Sequence, residues 1–204
     1  LEKSVKGGAG HCFLNSGQSC NAPTKMLGSS KNYDKAVEIA VATANSTTSG
    51  DPNGEFRIGP IANKIQYEKI LKLIEIGIEE GATLVAGGVE KPDGCEKGYY
   101  VKPTVFANVT NDMTIAKEEI FGPVLVMIKY NDEDEAINIA NDTESGLAGY
   151  VQGDPEHARN VARQIRAGQV IINGGARGTG APFGGYKASG NGREHGIHGL
   201  EECL

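Results

Sequence analysis

The chain has 204 residues, 39% hydrophobic and 23% charged, with a formal net charge of −6. This length supports one good core, and an acidic balance without a Lys/Arg block argues against nucleic acid, whose phosphates require a basic face. No apolar run approaches the ~20 residues that span a bilayer, and the opening Leu1-Glu-Lys-Ser lacks the apolar stretch of a secretory signal.

With no initiator methionine, the sequence reads as an excised or truncated chain. Its four cysteines (Cys12, Cys20, Cys95, Cys203) include no C-x-x-C pair, and its histidines (His11, His157, His195, His198) make no finger pattern. A structural zinc site is therefore not expected, and reduced thiols in a cytoplasmic protein are.

In chain order, Tyr33 to Ala44 carries a helical stripe of Ala36, Val37, Ala40, Val41 and Ala44. Residues 49–59 (SGDPNGEFRIG) form a turn-rich break. Asn63 to Glu80 predicts a helix with Ile65, Ile70, Leu73, Ile74 and Ile78 near one face and Gly81 as its C-terminal cap. Ala82 to Ala86 reads as a short buried strand. Tyr99 to Val109 is extended, with Pro103 arguing for an edge or irregular strand.

Val124 to Ile128 is a continuous apolar run, and Asp132-Glu-Asp-Glu135 is a capping box opening a helix through about Ala140. Leu147 to Gln152 is a strand. Asp154-Pro155 starts another helix, which Gly168 is expected to close, and Val170 to Asn173 is a further buried strand. Apolar strands alternating with helices predict an α/β fold, a parallel-rich open sheet covered by helices on both faces in one domain. Ten of the 29 glycines lie between Gly174 and Gly199 with no fixed period, which indicates a long shaped loop.

Cys20 stands among small polar residues in FLNSGQSCNAPT, where Gly17 permits a tight turn and Ser19, Asn21 and Thr24 leave room beside the sulfur. A nucleophilic thiol needs exposure and donors for the oxyanion it creates, and the Cys20 amide is one candidate donor. The same pattern is compatible with a small buried hydrophobe, the commoner fate of a free cysteine. Cys12 is open to two readings, a redox partner of Cys20 or a buried residue of the preceding helix.

FLNSGQSC followed by NAPT resembles the active-site cysteine motif of the aldehyde dehydrogenase superfamily. In the same order, AKEEIFGPVL (residues 116–125) resembles the nicotinamide-ribose segment. GLAGYVQGD and RAGQVIIN resemble catalytic-domain strands, and APFGGYKASGNGREHG (residues 181–196) resembles the glycine-rich segment near the substrate pocket. Together these cover essentially the whole chain. The resemblance implies an aldehyde dehydrogenase catalytic domain over residues 1–204. It further implies NAD or NADP as cofactor, a small-molecule aldehyde as substrate and a homo-oligomeric full-length parent.

Residue by residue, the resemblance implies Cys20 as the nucleophile and Glu194 as a carboxylate relaying protons to the water that attacks the thioester. It implies Glu119 on the nicotinamide ribose, Phe121 beside the nicotinamide, Gln66 touching the cofactor and Phe183 near the aldehyde. The bland alternatives are a solvated charge for Glu119, a strand-start core ring for Phe121 and a polar helix-face residue for Gln66. For Phe183 the alternative is a loop anchor, and for Glu194 a salt-bridged glutamate beside Arg193. Lys187 is read as neutralising local carbonyls, and the loop 176–179 as shaping substrate choice.

The family's general base lies in a Glu-Leu-Gly-Gly segment upstream of the cysteine. No such segment occurs here, nor does the upstream asparagine of the oxyanion hole, the Rossmann-type half or the C-terminal oligomerisation strand. The expectation is a fragment with little activity of its own. Competing readings are a Cys–His acyl hydrolase using His11, His195 or His198, a non-catalytic truncated domain, and an acylating enzyme that passes its acyl group to coenzyme A.

Overall fold

The apolar run at Val124 becomes β4 (Val124–Tyr130), an inner strand of a four-stranded sheet. A computed structural model describes residues 1–176 and 178–204 of the chain. Its residues group into two compact units, Leu1–Asn131 and Asp132–Leu204, and each is described by itself.

In the first unit, β1 (Lys25–Ser29), β4, β3 (Thr104–Ala107) and β2 (Thr83–Ala86) lie side by side in that order. β1 and β3 run parallel to β4, with Lys25 opposite Val126 and Thr104 opposite Val124, and β2 is antiparallel to β3. α1 (Glu2–Phe13) and α2 (Tyr33–Ser46) cover one face, where Val5, Ala9, Cys12, Phe13, Ala36 and Ala40 pack with Val105, Leu125 and Met127. α3 (Lys64–Glu79) and the short α4 (Thr114–Lys117) cover the other. There Gly77 lets Ile115 and Phe106 approach the α3 backbone. Strand alternation sends successive side chains of β3 and β4 to opposite faces, which is why Val105–Ala107 and Val124–Ile128 are continuous apolar runs. The fold class is the expected one, a mostly parallel open sheet with helices.

Several details differ from the sequence reading. β3 is fully buried and central, because Pro103 stands just before the strand and removes no ladder bond. β2 is the antiparallel edge, with Thr83 and Leu84 exposed. Ile65 and Ile78 point to solvent at 82% and 45% exposure, leaving Ile70, Leu73 and Ile74 as the buried stripe of α3. The 155–162 helix stops well before Gly168.

In the second unit, Asp132 caps α5 (Glu133–Asn141) by accepting from the Glu135 amide at 2.9 Å. Asp154 caps α6 (Pro155–Ala162), accepting from the amides of Glu156 and His157. β5 (Ala148–Val151) and β6 (Gln169–Ile172) pair in parallel with Gly149 opposite Val170. All residues of β6 are half-buried rather than buried. A final short helix, α7, spans Gly196–Glu201. No helix among the described residues is long and apolar enough to cross a membrane.

Candidate active site

Three successive left-handed residues end the run from α1 into the cysteine loop: Asn15 (φ 54°), Ser16 (φ 57°) and Gly17 (φ 70°). Left-handed backbone costs a non-glycine residue about 1–2 kcal/mol, so the turn needs anchors. The Ser16 hydroxyl donates to the Gly59 carbonyl at 2.7 Å. The Gln18 carboxamide donates to the carbonyls of Asn15 and Pro60, at 3.2 and 3.3 Å, and accepts from the Ala62 amide at 2.8 Å. Beyond this clamp, the Ala22 amide donates to the Ser19 carbonyl at 3.0 Å and closes a turn that carries Cys20.

Cys20 is exposed, in contrast to Cys12 and Cys95. Cys12 lies wholly buried on α1, its thiol directed at the Val124 carbonyl, and burial pushes its pKa far up. It is therefore the buried residue of the preceding helix, the second of the two readings open to it.

The Gly17 turn rests on the second motif. A β-carbon at Gly17 would lie 2.0 Å from the Gly122 carbonyl oxygen, so only hydrogen at that position lets the two backbones meet. From the opposite side, a β-carbon at Gly122 would lie 2.6 Å from Ile70 of α3. The preceding residue, Phe121, has φ 54°, an outlier for a bulky side chain.

The main chain around Phe121 is gripped by α3. Gln66 donates its carboxamide to the carbonyls of Ile120 and Phe121, at 2.8 and 3.1 Å, and the Lys69 ammonium donates to the Glu119 carbonyl at 2.7 Å. Glu119 itself is exposed. The structure thus brings Gln66, Glu119 and Phe121 together, with the Gln66 amide engaged on backbone.

In the second unit, Phe183 and Glu194 form an antiparallel backbone bridge, each amide donating to the other's carbonyl at 2.7 Å. The Arg193 guanidinium donates to the carbonyls of Gly185, Asn191 and Gly192 and lies over the Tyr186 ring. The Glu194 carboxylate lies 4.0 Å from the His195 ring. Lys187 donates to the carbonyls of Asn141 and Thr143, at 2.8 and 3.0 Å, the carbonyl-neutralising role read from sequence. Within the loop 176–179, Arg177 lies outside the described residues.

Two open clefts, of about 490 and 520 Å³, are lined around Arg193 and His198 in one unit and around Lys6 and Arg57 in the other. The first thus includes His198, a candidate base of the acyl-hydrolase reading, and Arg193, but neither includes Cys20, Gln66, Glu119, Phe121, Phe183 or Glu194. Sequence reasoning also missed Ser16, Gln18 and Lys69. The signal available for Lys69 was its place with Gln66 and Ile70 at i, i+3 and i+4 on one helix face.

The aldehyde dehydrogenase family model matches residues 1–204. The chain is 51% identical, over its whole length, to 3-succinoylsemialdehyde-pyridine dehydrogenase from a Pseudomonas species, covering 43% of that relative. Among solved structures it superposes with TM-score 0.96 at 49% identity on a cysteine-to-alanine mutant of aldehyde dehydrogenase C from Pseudomonas syringae. That protein is complexed with NAD+ and octanal, and the match covers 98% of this chain and 42% of that one. A Mycobacterium tuberculosis aldehyde dehydrogenase complexed with NAD+ superposes with TM-score 0.92 at 43% identity, covering 96% of this chain and 41% of that one. The chain spans less than half the length of these relatives. A match over every residue, a shared fold and two motifs held backbone to backbone lead to one conclusion: this chain belongs to the aldehyde dehydrogenase family.

Proposed function

We propose that the chain is the cysteine-bearing catalytic portion of an enzyme that oxidises an aldehyde to a carboxylic acid with NAD or NADP. The observation that carries this reading is the contact of Gly17 with Gly122. It seats the loop of an exposed Cys20 against the segment bearing Glu119 and Phe121.

The Cys20 thiolate adds to the aldehyde carbon, forming a C–S bond as the carbonyl π electrons move onto oxygen. The Cys20 amide is one donor to that oxyanion. NAD(P)+ supplies the hydride acceptor. Glu119 fits a ribose, since its exposed carboxylate can accept from two vicinal hydroxyls, and by family likeness the Phe121 ring lies beside the nicotinamide. Loss of hydride leaves Cys20 as a thioester, which water hydrolyses to release the acid and the thiolate. By family likeness, Phe183 contacts the aldehyde and Glu194 relays a proton from that water. Gln66 contributes by fixing the carbonyls of Ile120 and Phe121.

Without a Glu-Leu-Gly-Gly base, the 204-residue chain alone is expected to oxidise aldehydes far more slowly than a full-length family member. The test of the cofactor reading is a ¹⁵N-NMR titration of this chain with nicotinamide mononucleotide. Shifts confined to residues 119–121 and the Cys20 loop are expected, and they should be lost in Glu119→Ala. A spectrum that stays unmoved at those residues in the unaltered chain defeats the reading.

A further inference from the structure

The far end of α3 carries a residue with no part in the site as described so far. Glu80, the C-cap of that helix, reaches α4 and accepts from the Thr114 amide at 2.7 Å and from the Thr114 hydroxyl at 2.5 Å. The Thr114 carbonyl in turn accepts from the Glu118 amide at 2.8 Å, and Glu118 immediately precedes Glu119. Both backbone polar groups of Thr114 and its hydroxyl are thus committed, between Glu80 on one side and the segment leading to Glu119 on the other.

At the other end of the same helix, Gln66 and Lys69 hold the carbonyls of residues 119–121, and Ile70 backs Gly122. At 100° per residue, positions 66, 69, 70, 77 and 80 fall on one side of α3. That side runs alongside the whole stretch from Thr114 to Gly122. Gly77, midway, has no side chain to hold Ile115 of α4 away.

We propose that α3 is a splint for residues 114–122 and that Glu80 is a positioning residue. By fixing Thr114 it fixes the start of the four-residue α4, and through the Thr114–Glu118 bond it sets where Glu119 and the left-handed Phe121 begin. This assigns Glu80 a part in cofactor alignment and so rests on the reading of Glu119 and Phe121 given above. Gln66 and Lys69 alone hold only the carbonyls of Glu119, Ile120 and Phe121. A short helix free at its first residue can turn about that point, and Phe121 then has an inexpensive route out of its disfavoured conformation.

The experiment is NMR on the chain without any cofactor, so its outcome is independent of nicotinamide binding. In the unaltered protein, Phe121 gives the strong intraresidue HN–Hα cross-peak of a positive φ, and the Gln66 side-chain amide protons are shifted by their two carbonyl partners. In Glu80→Ala both signatures are expected to be lost. Exchange of the Glu118 amide should speed at least about tenfold, the scale of a lost charge-assisted hydrogen bond. Glu80→Gln, which can still accept from the Thr114 amide and donate to its hydroxyl oxygen, should restore them. Thr114→Val removes only the hydroxyl partner and should show a smaller loss with the fold intact. If both the Ala and Val variants retain the Phe121 and Gln66 signatures, with changes confined to residues 114–117, Glu80 is a local helix cap and the splint is overturned.

Discussion

Gly17 and Gly122 touch backbone to backbone, 105 positions apart, and this contact joins the cysteine loop to the cofactor-type segment. Gly17→Ala combines a β-carbon 2.0 Å from a carbonyl oxygen with a left-handed φ of 70°. We expect it to cost more than about 3 kcal/mol, the range of backbone strain plus overpacking, measured by urea unfolding. A loss under about 0.5 kcal/mol, typical of an ordinary surface site, contradicts the contact.

Thiol chemistry should separate the cysteines by exposure. Brief iodoacetamide treatment followed by peptide mapping is expected to modify Cys20 ahead of Cys95 and Cys12, which are buried. Labelling of Cys95 at the same rate as Cys20 argues against Cys20 as the nucleophile.

Gln66→Leu keeps the bulk of the side chain but leaves the Ile120 and Phe121 carbonyls without their donor. The expected loss is about 1–3 kcal/mol of stability, with weakened nicotinamide mononucleotide binding at residues 119–121. Equal stability and equal binding in the variant exclude an anchoring role for Gln66.

Stability should decline in alkali, for a reason tied to Cys12. Burial raises its folded-state pKa, and burial likewise raises those of Cys95 and Tyr33. Below the ordinary thiol pKa, folded and unfolded chains both hold the proton and this contribution is fully present. As pH rises past that value, the unfolded chain releases its proton while the folded chain keeps it, so stability falls by at most about 1.4 kcal/mol per pH unit for each such group. Unfolding curves of Cys12→Ala across the alkaline range should show a shallower decline than the parent. Parallel declines disprove the assignment.

Much of the frame was legible because periodicity and caps are local signals. Val124–Ile128 announced β4, Asn63 and Asp132 announced helix starts, and Asp154-Pro155 announced α6. The errors arose where a neighbour decides. Nothing local tells that β3 lies inside the sheet while β2 lies at its edge, since burial of a strand depends on what pairs with it. α1 was expected only as the home of Cys12. Gly7, Gly8 and Gly10 weaken its helix signal, and it forms because Val5, Ala9, Cys12 and Phe13 bury one face.

For the site, the motifs gave positions but not supports. Cys20, Glu119 and Phe121 were named from their segments. Ser16, Gln18, Lys69 and Glu80 hold partners 34 to 50 residues away and carry no short-range mark. The left-handed run through Asn15 and Ser16 was equally hidden, because neither residue type demands that conformation.

The anchors of the cysteine loop have a kinetic consequence. Gly59, Pro60 and Ala62 emerge about 40 residues after the turn they hold, and Gly122 more than 100 after. Closing such distant contacts is slow and late in folding. A nascent or partly assembled chain therefore carries Cys20 as an ordinary flexible thiol, and the sulfur acquires its surroundings only once the sheet and α3 are complete.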